Sequence, residues 1–99
     1  MRDDFFPVTM KIGFETPDFI ELRYRPRPRQ TNILQILGEF PNRMVETAHI
    51  CERMGMQRRN LAAYITRLRR LLTPDWTIDR VYSLDRSTRG YRLTDLRDR

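Results

Sequence analysis

Two spacings of apolar residues divide this chain. Val8 to Phe14 and Phe19 to Tyr24 are short β-like runs. In the second, Phe19, Glu21 and Arg23 alternate with Ile20, Leu22 and Tyr24, which predicts a strand buried on one face. Glu15-Thr16-Pro17-Asp18 between the runs carries turn chemistry, so a hairpin is expected. Arg25-Pro26-Arg27-Pro28 neither continues a strand nor fits inside a helix, but Pro28 can open a helix at its first position. Ile33, Leu34, Ile36, Leu37 and Phe40 then recur at helical spacing, giving a first helix over 28–39. Phe40-Pro41-Asn42-Arg43 ends it, since Pro41 blocks extension and Asn42 tolerates a left-handed turn.

A second helix is predicted over 47–54, with Ala48, Ile50, Cys51 and Met54 as its apolar residues and Gly55 as its stop. A third runs over 57–72, with Pro74 just beyond. Trp76 to Tyr82 alternates like a strand, and Tyr91 to Leu93 looks like its partner across a polar loop, Ser83 to Gly90, that holds Arg86 and Arg89. The predicted class is therefore α+β: an N-terminal β segment over 1–26, a three-helix core over 28–72 and a C-terminal hairpin over 76–93. Two helices around a tight glycine turn, followed by a β-hairpin, make a winged helix-turn-helix in one 99-residue domain. No repeat, low-complexity tract or linker argues for a second domain.

The third helix has two faces. At about 100° per residue, Leu61, Ile65, Leu68 and Leu72 fall in one arc as the core stripe, with Tyr64 and Leu71 on its shoulder. Arg59, Ala63, Thr66 and Arg70 lie opposite. Arg67 flanks that outer face, and Arg69 lies nearer the core edge. An outer face with small residues at its centre can approach the floor of a DNA major groove. Ala63 and Thr66 can touch thymine methyls there, and Arg67 or Arg70 can fork onto guanine O6 and N7. Arg58 and Arg59 open the helix, where backbone N–H groups also suit phosphate.

Charge sharpens this picture. Residues 53–74 hold six arginines and no acid, while each remaining stretch balances to within one charge, so the net +6 of the chain resides in one segment. A solvated helix face normally mixes signs and gains from i,i+4 ion pairs; this one repels itself, as a surface shaped for a polyanion does. Eighteen arginines stand against one lysine, Lys11. Arginine suits bidentate phosphate and guanine contacts, although a GC-rich coding genome would raise the same ratio without clustering it. Cys51 is the single cysteine, which fits a reducing cytoplasm. No apolar run approaches the ~20 residues that span a bilayer, and Met1 to Pro7 lacks a signal-peptide pattern. His49 and Cys51 cannot complete a four-ligand zinc site. No nucleophile has a plausible base, and no glycine-rich phosphate loop exists. Neither enzymatic activity nor a metal or cofactor is expected.

A weaker signal agrees. Bacterial helix-turn-helix units place a glycine in the turn, a small residue four before it and an apolar residue six after it. Gly55, Cys51 and Leu61 fit, which makes Cys51 a packing residue under the turn.

From Arg27 onward the chain resembles the DNA-binding domain of OmpR/PhoB-type response regulators. Pro28-Arg29-Gln30 with Ile33-Leu34 and Ile36-Leu37 resembles that family's first-helix opening, and Phe40 to Val45 its following turn. Leu61, Ile65, Thr66-Arg67-Leu68-Arg69-Arg70 and Leu72 resemble its recognition helix, and Ile78, Val81 and Gly90-Tyr91-Arg92-Leu93 its wing. The resemblance implies an N-terminal antiparallel sheet, a third helix in the major groove and a wing at the adjacent minor groove. By position, it implies that Ala63, Thr66, Arg67 and Arg70 face bases, and that Arg59, Tyr64 and Arg69 face phosphates or groove walls; Tyr64 fits a core-shoulder role equally well. Three departures stand out. A short Met54-Gly55-Met56 turn replaces the family's long loop between helices two and three, which puts family-style activation in doubt. The loop holding Arg86 and Arg89 is longer. No receiver domain precedes the winged helix, so phosphorylation control within the chain is not expected.

These features together lead to the expectation of a cytoplasmic, sequence-specific regulator of phage or bacterial type that binds double-stranded DNA. It would act as a homodimer at least on DNA, because one winged helix reads few bases. Met1 to Pro7, with Phe5 and Phe6, would either join two copies or cap the core. The alternative is a protein-interaction module on the same frame, engaging RNA polymerase or another regulator. RNA binding ranks lower, because the outer face of the third helix has no aromatic beyond Tyr64.

Overall fold

The computed structural model describes residues 6–13 and 17–97. The roles expected of Met1 to Phe5, and of Phe14 to Thr16 in the first strand and turn, lie outside the described residues. In chain order the elements are β1 (Val8–Ile12), β2 (Asp18–Leu22), α1 (Pro28–Gly38), β3 (Met44–Glu46), α2 (Thr47–Met54), α3 (Arg58–Leu71), β4 (Trp76–Tyr82) and β5 (Thr88–Asp95). The fold is α+β, with three helices and two antiparallel sheets, β1-β2 and β3-β5-β4, among the described residues. No helix among them is long and apolar enough to cross a membrane.

The first hairpin pairs Val8 with Leu22 through to Ile12 with Asp18. The alternation seen in the sequence holds in β2: Ile20 and Leu22 are buried, while Phe19 and Glu21 are exposed. α1 starts at Pro28 behind an extended Arg27, whose N–H donates to Gln30 Oε1 at 2.8 Å. That bond satisfies a donor the helix itself cannot, and proline at the first position loses none. α1 buries Ile33, Leu34, Ile36 and Leu37 and brings Gly38 against β1. A Cβ at Gly38 would stand 2.7 Å from Ile12 Cβ, so only glycine lets hairpin and helix touch at this point.

Asn42 adopts the left-handed conformation expected of it, with φ of 65°. Its N–H donates to Leu93 O at 2.8 Å, and its Oδ1 accepts from the Asp95 N–H at 2.9 Å. The turn after α1 is thereby hooked onto β5. β3 comes directly after this turn and is absent from the sequence pattern; three residues are too few to show a period. It pairs Met44 with Arg92, Val45 with Tyr91 and Glu46 with Gly90.

α2 ends as expected at Gly55, with φ of 64° and ψ of 41°. Two corrections concern α3 and β5. Leu71, not Leu72, completes the buried stripe of α3 with Leu61, Ile65 and Leu68. Leu72 leaves the helix in an extended conformation and forms a bridge with Leu22 of β2. Arg23 caps the same end: its N–H donates to Leu71 O at 2.8 Å and its Nε to Leu72 O at 3.1 Å. β5 is also longer than Tyr91 to Leu93, because pairing with both β3 and β4 extends it from Thr88 to Asp95. A single core of Leu34, Leu37, Ile50, Leu61, Ile65, Leu68, Leu71 and Leu93, each fully buried, joins α1, α2, α3 and the larger sheet.

Candidate nucleic-acid interface

The buried stripe fixes the rotation of α3. With Leu61, Ile65, Leu68 and Leu71 inward, Arg59, Ala63, Thr66 and Arg70 are exposed opposite them, and Arg58 and Arg67 are exposed beside them. Thr66 turns its hydroxyl back along the helix, donating from Oγ1 to Ala62 O at 3.1 Å. The centre of this face therefore carries short side chains and no charge, between arginines at both ends.

No carboxylate among the described residues pairs with those arginines. Among the described residues the ion pairs are Arg53–Glu39, Arg92–Asp79, Arg97–Asp18 and Arg97–Asp95, and none involves Arg58, Arg59, Arg67, Arg69 or Arg70. Arg53, the first arginine of the charged segment, is bound to Glu39 of the turn after α1 at 2.7 Å and stands apart from this face.

Tyr64 and Arg69 occupy the flanks. Tyr64 is half-buried and packs on the core, and the Arg67 guanidinium lies over its ring, 5.8 Å from the centroid. Such a contact holds an exposed arginine by about 0.5–1 kcal/mol. Arg69 Nε donates to Ile78 O in β4 at 3.0 Å, which ties α3 to the C-terminal hairpin while the rest of the side chain stays exposed.

The hairpin carries Arg86 and Arg89 at its far end. Tyr82 is four steps along the strand from Ile78, so the turn begins roughly 13 Å beyond the Arg69 tether. The Ser83 N–H donates to Ser87 O at 2.8 Å, the Arg86 N–H donates to Ser83 O at 2.9 Å, and Arg86 has φ of 69°. This is a tight turn closed by a left-handed residue. Asp85 Oδ1 accepts from both the Ser87 hydroxyl and its N–H, and those bonds hold the Asp85 carboxyl below its ordinary pKa. Arg89, expected in the loop, lies instead in β5. The register passes from Val81 opposite Gly90 to Tyr82 opposite Thr88, so Arg89 is the unpaired residue of a bulge. Bulges of this kind re-aim a side chain.

The helix turn itself is built for packing. Cys51 is partly buried, and its carbonyl accepts from the Gly55 and Met56 N–H groups. Burial pushes the Cys51 thiol up, against a smaller downward pull from Arg58.

The structure also brings in residues that the sequence pattern presents only as a helix boundary. Arg27 and Arg29, at the start of α1, line an open cleft of about 620 Å³ together with Tyr64 and Arg67. Arg29 also lines a neighbouring cleft with Arg59 and the Gly55 turn. The one signal of this in the sequence is the alternating Arg-Pro run from Arg25 to Arg29. No family model, curated protein or solved structure matches this chain.

Proposed function

We propose that this protein is a winged helix-turn-helix of the OmpR/PhoB type that binds double-stranded DNA sequence-specifically as a cytoplasmic transcription regulator. In this reading α3 lies in the major groove, and β4 and β5 form an arginine-bearing wing at the adjacent minor groove. One observation carries it: the exposed face of α3 has arginines at both ends that form no ion pair among the described residues, and only Ala63 and Thr66 between them. That profile lets a helix backbone come close to base edges while guanidinium groups reach guanines and phosphates. Arg58, Arg59 and Arg69 hold the backbone, Arg67 and Arg70 reach bases, and Arg86 and Arg89 follow the minor groove. A homodimer on DNA supplies the second half-site that one such domain lacks.

The test is selection of bound sequences from a random duplex pool, followed by affinity measurement at several stated salt concentrations. Arg70→Ala should cost about 1–3 kcal/mol and relax the selected sequence. Equal affinity for every duplex would refute a specific regulator.

The hairpin tip favours a second reading. Leu84 is fully exposed and Tyr82 is 58 % exposed there, beside the ionised Asp85. An apolar and partly acidic tip suits a protein surface such as RNA polymerase or another regulator. Leu84→Ser should abolish capture of such a partner and leave duplex binding intact. If it weakens duplex binding instead, the tip belongs to the DNA interface.

A further inference from the structure

We infer that the cleft between the start of α1 and the Tyr64–Arg67 step of α3 is a phosphate seat, formed by Arg27, Arg29 and Arg67. Three arginines line this one cleft with Pro28, Gln30 and Tyr64, and no carboxylate among the described residues lines it. None of the three arginines takes part in an ion pair among the described residues. Like charges gathered without a counter-charge repel, and a phosphate relieves that repulsion through forked, charge-assisted hydrogen bonds.

The seat is held in place before any ligand arrives. Pro28 fixes the backbone between Arg27 and Arg29, and Gln30 Oε1 holds the Arg27 N–H at 2.8 Å. The Tyr64 ring carries the Arg67 guanidinium at 5.8 Å and is itself packed on the core. Arg29 also lines the next cleft beside Arg59, where Glu52 is the one carboxylate among the lining residues, so arginines run from Arg67 past α1 to the helix turn. A strip of arginines matches a phosphodiester strand; a free phosphate compound offers the same chemistry to a single seat.

This deepens the DNA-binding reading and rests on it for the duplex as source. It moves Arg67 from base reading to backbone contact and leaves Arg70, with Ala63 and Thr66, to read base edges. Arg27 and Arg29 become a third anchoring element beside α3 and the wing.

The experiment compares wild type with R27Q/R29Q, R29Q alone, R67Q and R70Q, each first shown to melt cooperatively. R29Q serves if the double variant does not fold, because the exposed Arg29 side chain forms no ion pair among the described residues. The probes are the duplex recovered from the random pool and inorganic pyrophosphate. With the duplex, the slope of log K against log salt should become shallower by up to about 0.9 in R27Q/R29Q, for the one phosphate of the seat, and by a smaller step in R29Q or R67Q. The ranking of duplex sequences should stay the same in those variants and change in R70Q. Pyrophosphate that raises the melting temperature of wild type but not of R27Q/R29Q, with no change in duplex slope, assigns the seat to a free phosphate compound. If wild type binds no duplex while that pyrophosphate difference persists, the seat stands and the DNA reading falls. An unchanged slope together with equal pyrophosphate effects on wild type and variant overturns the seat. A changed ranking in R67Q overturns the reassignment of Arg67.

Discussion

Two glycines in this chain are required for opposite reasons, and the same pair of substitutions separates them. At Gly90 a Cβ would stand 2.5 Å from Val45 O and 2.7 Å from Met44 Cγ, both in β3. Carbon and carbonyl oxygen ordinarily approach to about 3.3 Å, so β3 would have to retreat by roughly 0.8 Å. Overpacking of that kind costs about 1–3 kcal/mol. In a domain of this size each kcal/mol moves the melting temperature by roughly 4–8 °C, so Gly90→Ala should melt about 4–24 °C lower. Gly55 has nothing within 4 Å of its added Cβ but sits at φ of 64°. Alanine there meets only the left-handed penalty of about 1–2 kcal/mol, and asparagine, which tolerates that region, should recover much of it. At Gly90 asparagine is larger and should do worse than alanine. The assay is thermal unfolding followed by circular dichroism for the four variants. If Gly90→Ala melts with wild type, or if asparagine outperforms alanine at both sites, the steric account of the β3–β5 contact is wrong.

Three other perturbations have defined outcomes. Leu68→Ala opens a cavity under α3 at a fully buried position and should cost about 2–5 kcal/mol in denaturant unfolding, more than Leu72→Ala at the helix exit. Arg69→Met keeps the side-chain stem but removes the Nε donor to Ile78 O, so amides of β4 and β5 should exchange faster while those of α1 keep their protection. Asp95 has its carboxyl held below the ordinary range, first by hydrogen bonds from the Arg97 side chain. A depressed folded-state pKa gives stability that is present above the unfolded value and is lost as pH falls through the folded one. Wild type should therefore lose stability below about pH 4, and Asp95→Asn should lose less over the same range in acid titrations followed by fluorescence.

The helices are readable because each carries a long apolar period and its own stop. α2 runs over the predicted residues, α1 is one residue shorter at its C-terminal end, and α3 is one residue shorter at each end. The features that escape the sequence depend on partners distant along the chain. β3 has only three residues and exists because β5 lies beside it. On a wheel Leu72 falls in the stripe and Leu71 on its shoulder; only the bridge to Leu22 shows where the helix must end. Arg89 reads as a loop residue because a bulge has no local period. Arg69 lies near the core edge on the wheel, but its acceptor, Ile78 O, is a backbone atom of a strand whose position the sequence does not give. Arg27 and Arg29 are legible as charges, and their meeting with Arg67 comes only from the packing of α1 on α3.

The anchoring of β2 also orders events during synthesis. Leu22 and Arg23 find their partners at Leu71 and Leu72, and Asp18 finds Arg97. The first hairpin thus leaves the ribosome well before several of its partners. At a synthesis rate of roughly 5–20 residues per second, the 49 residues between Arg23 and Leu72 take about 2–10 s to emerge. For that interval Ile12, Ile20 and Leu22 have no α3 end to pack against. The contact of Ile12 with Gly38 of α1 needs only residues that emerge early, whereas the tie of Leu22 and Arg23 to Leu71 and Leu72 must wait for the C-terminal end of α3.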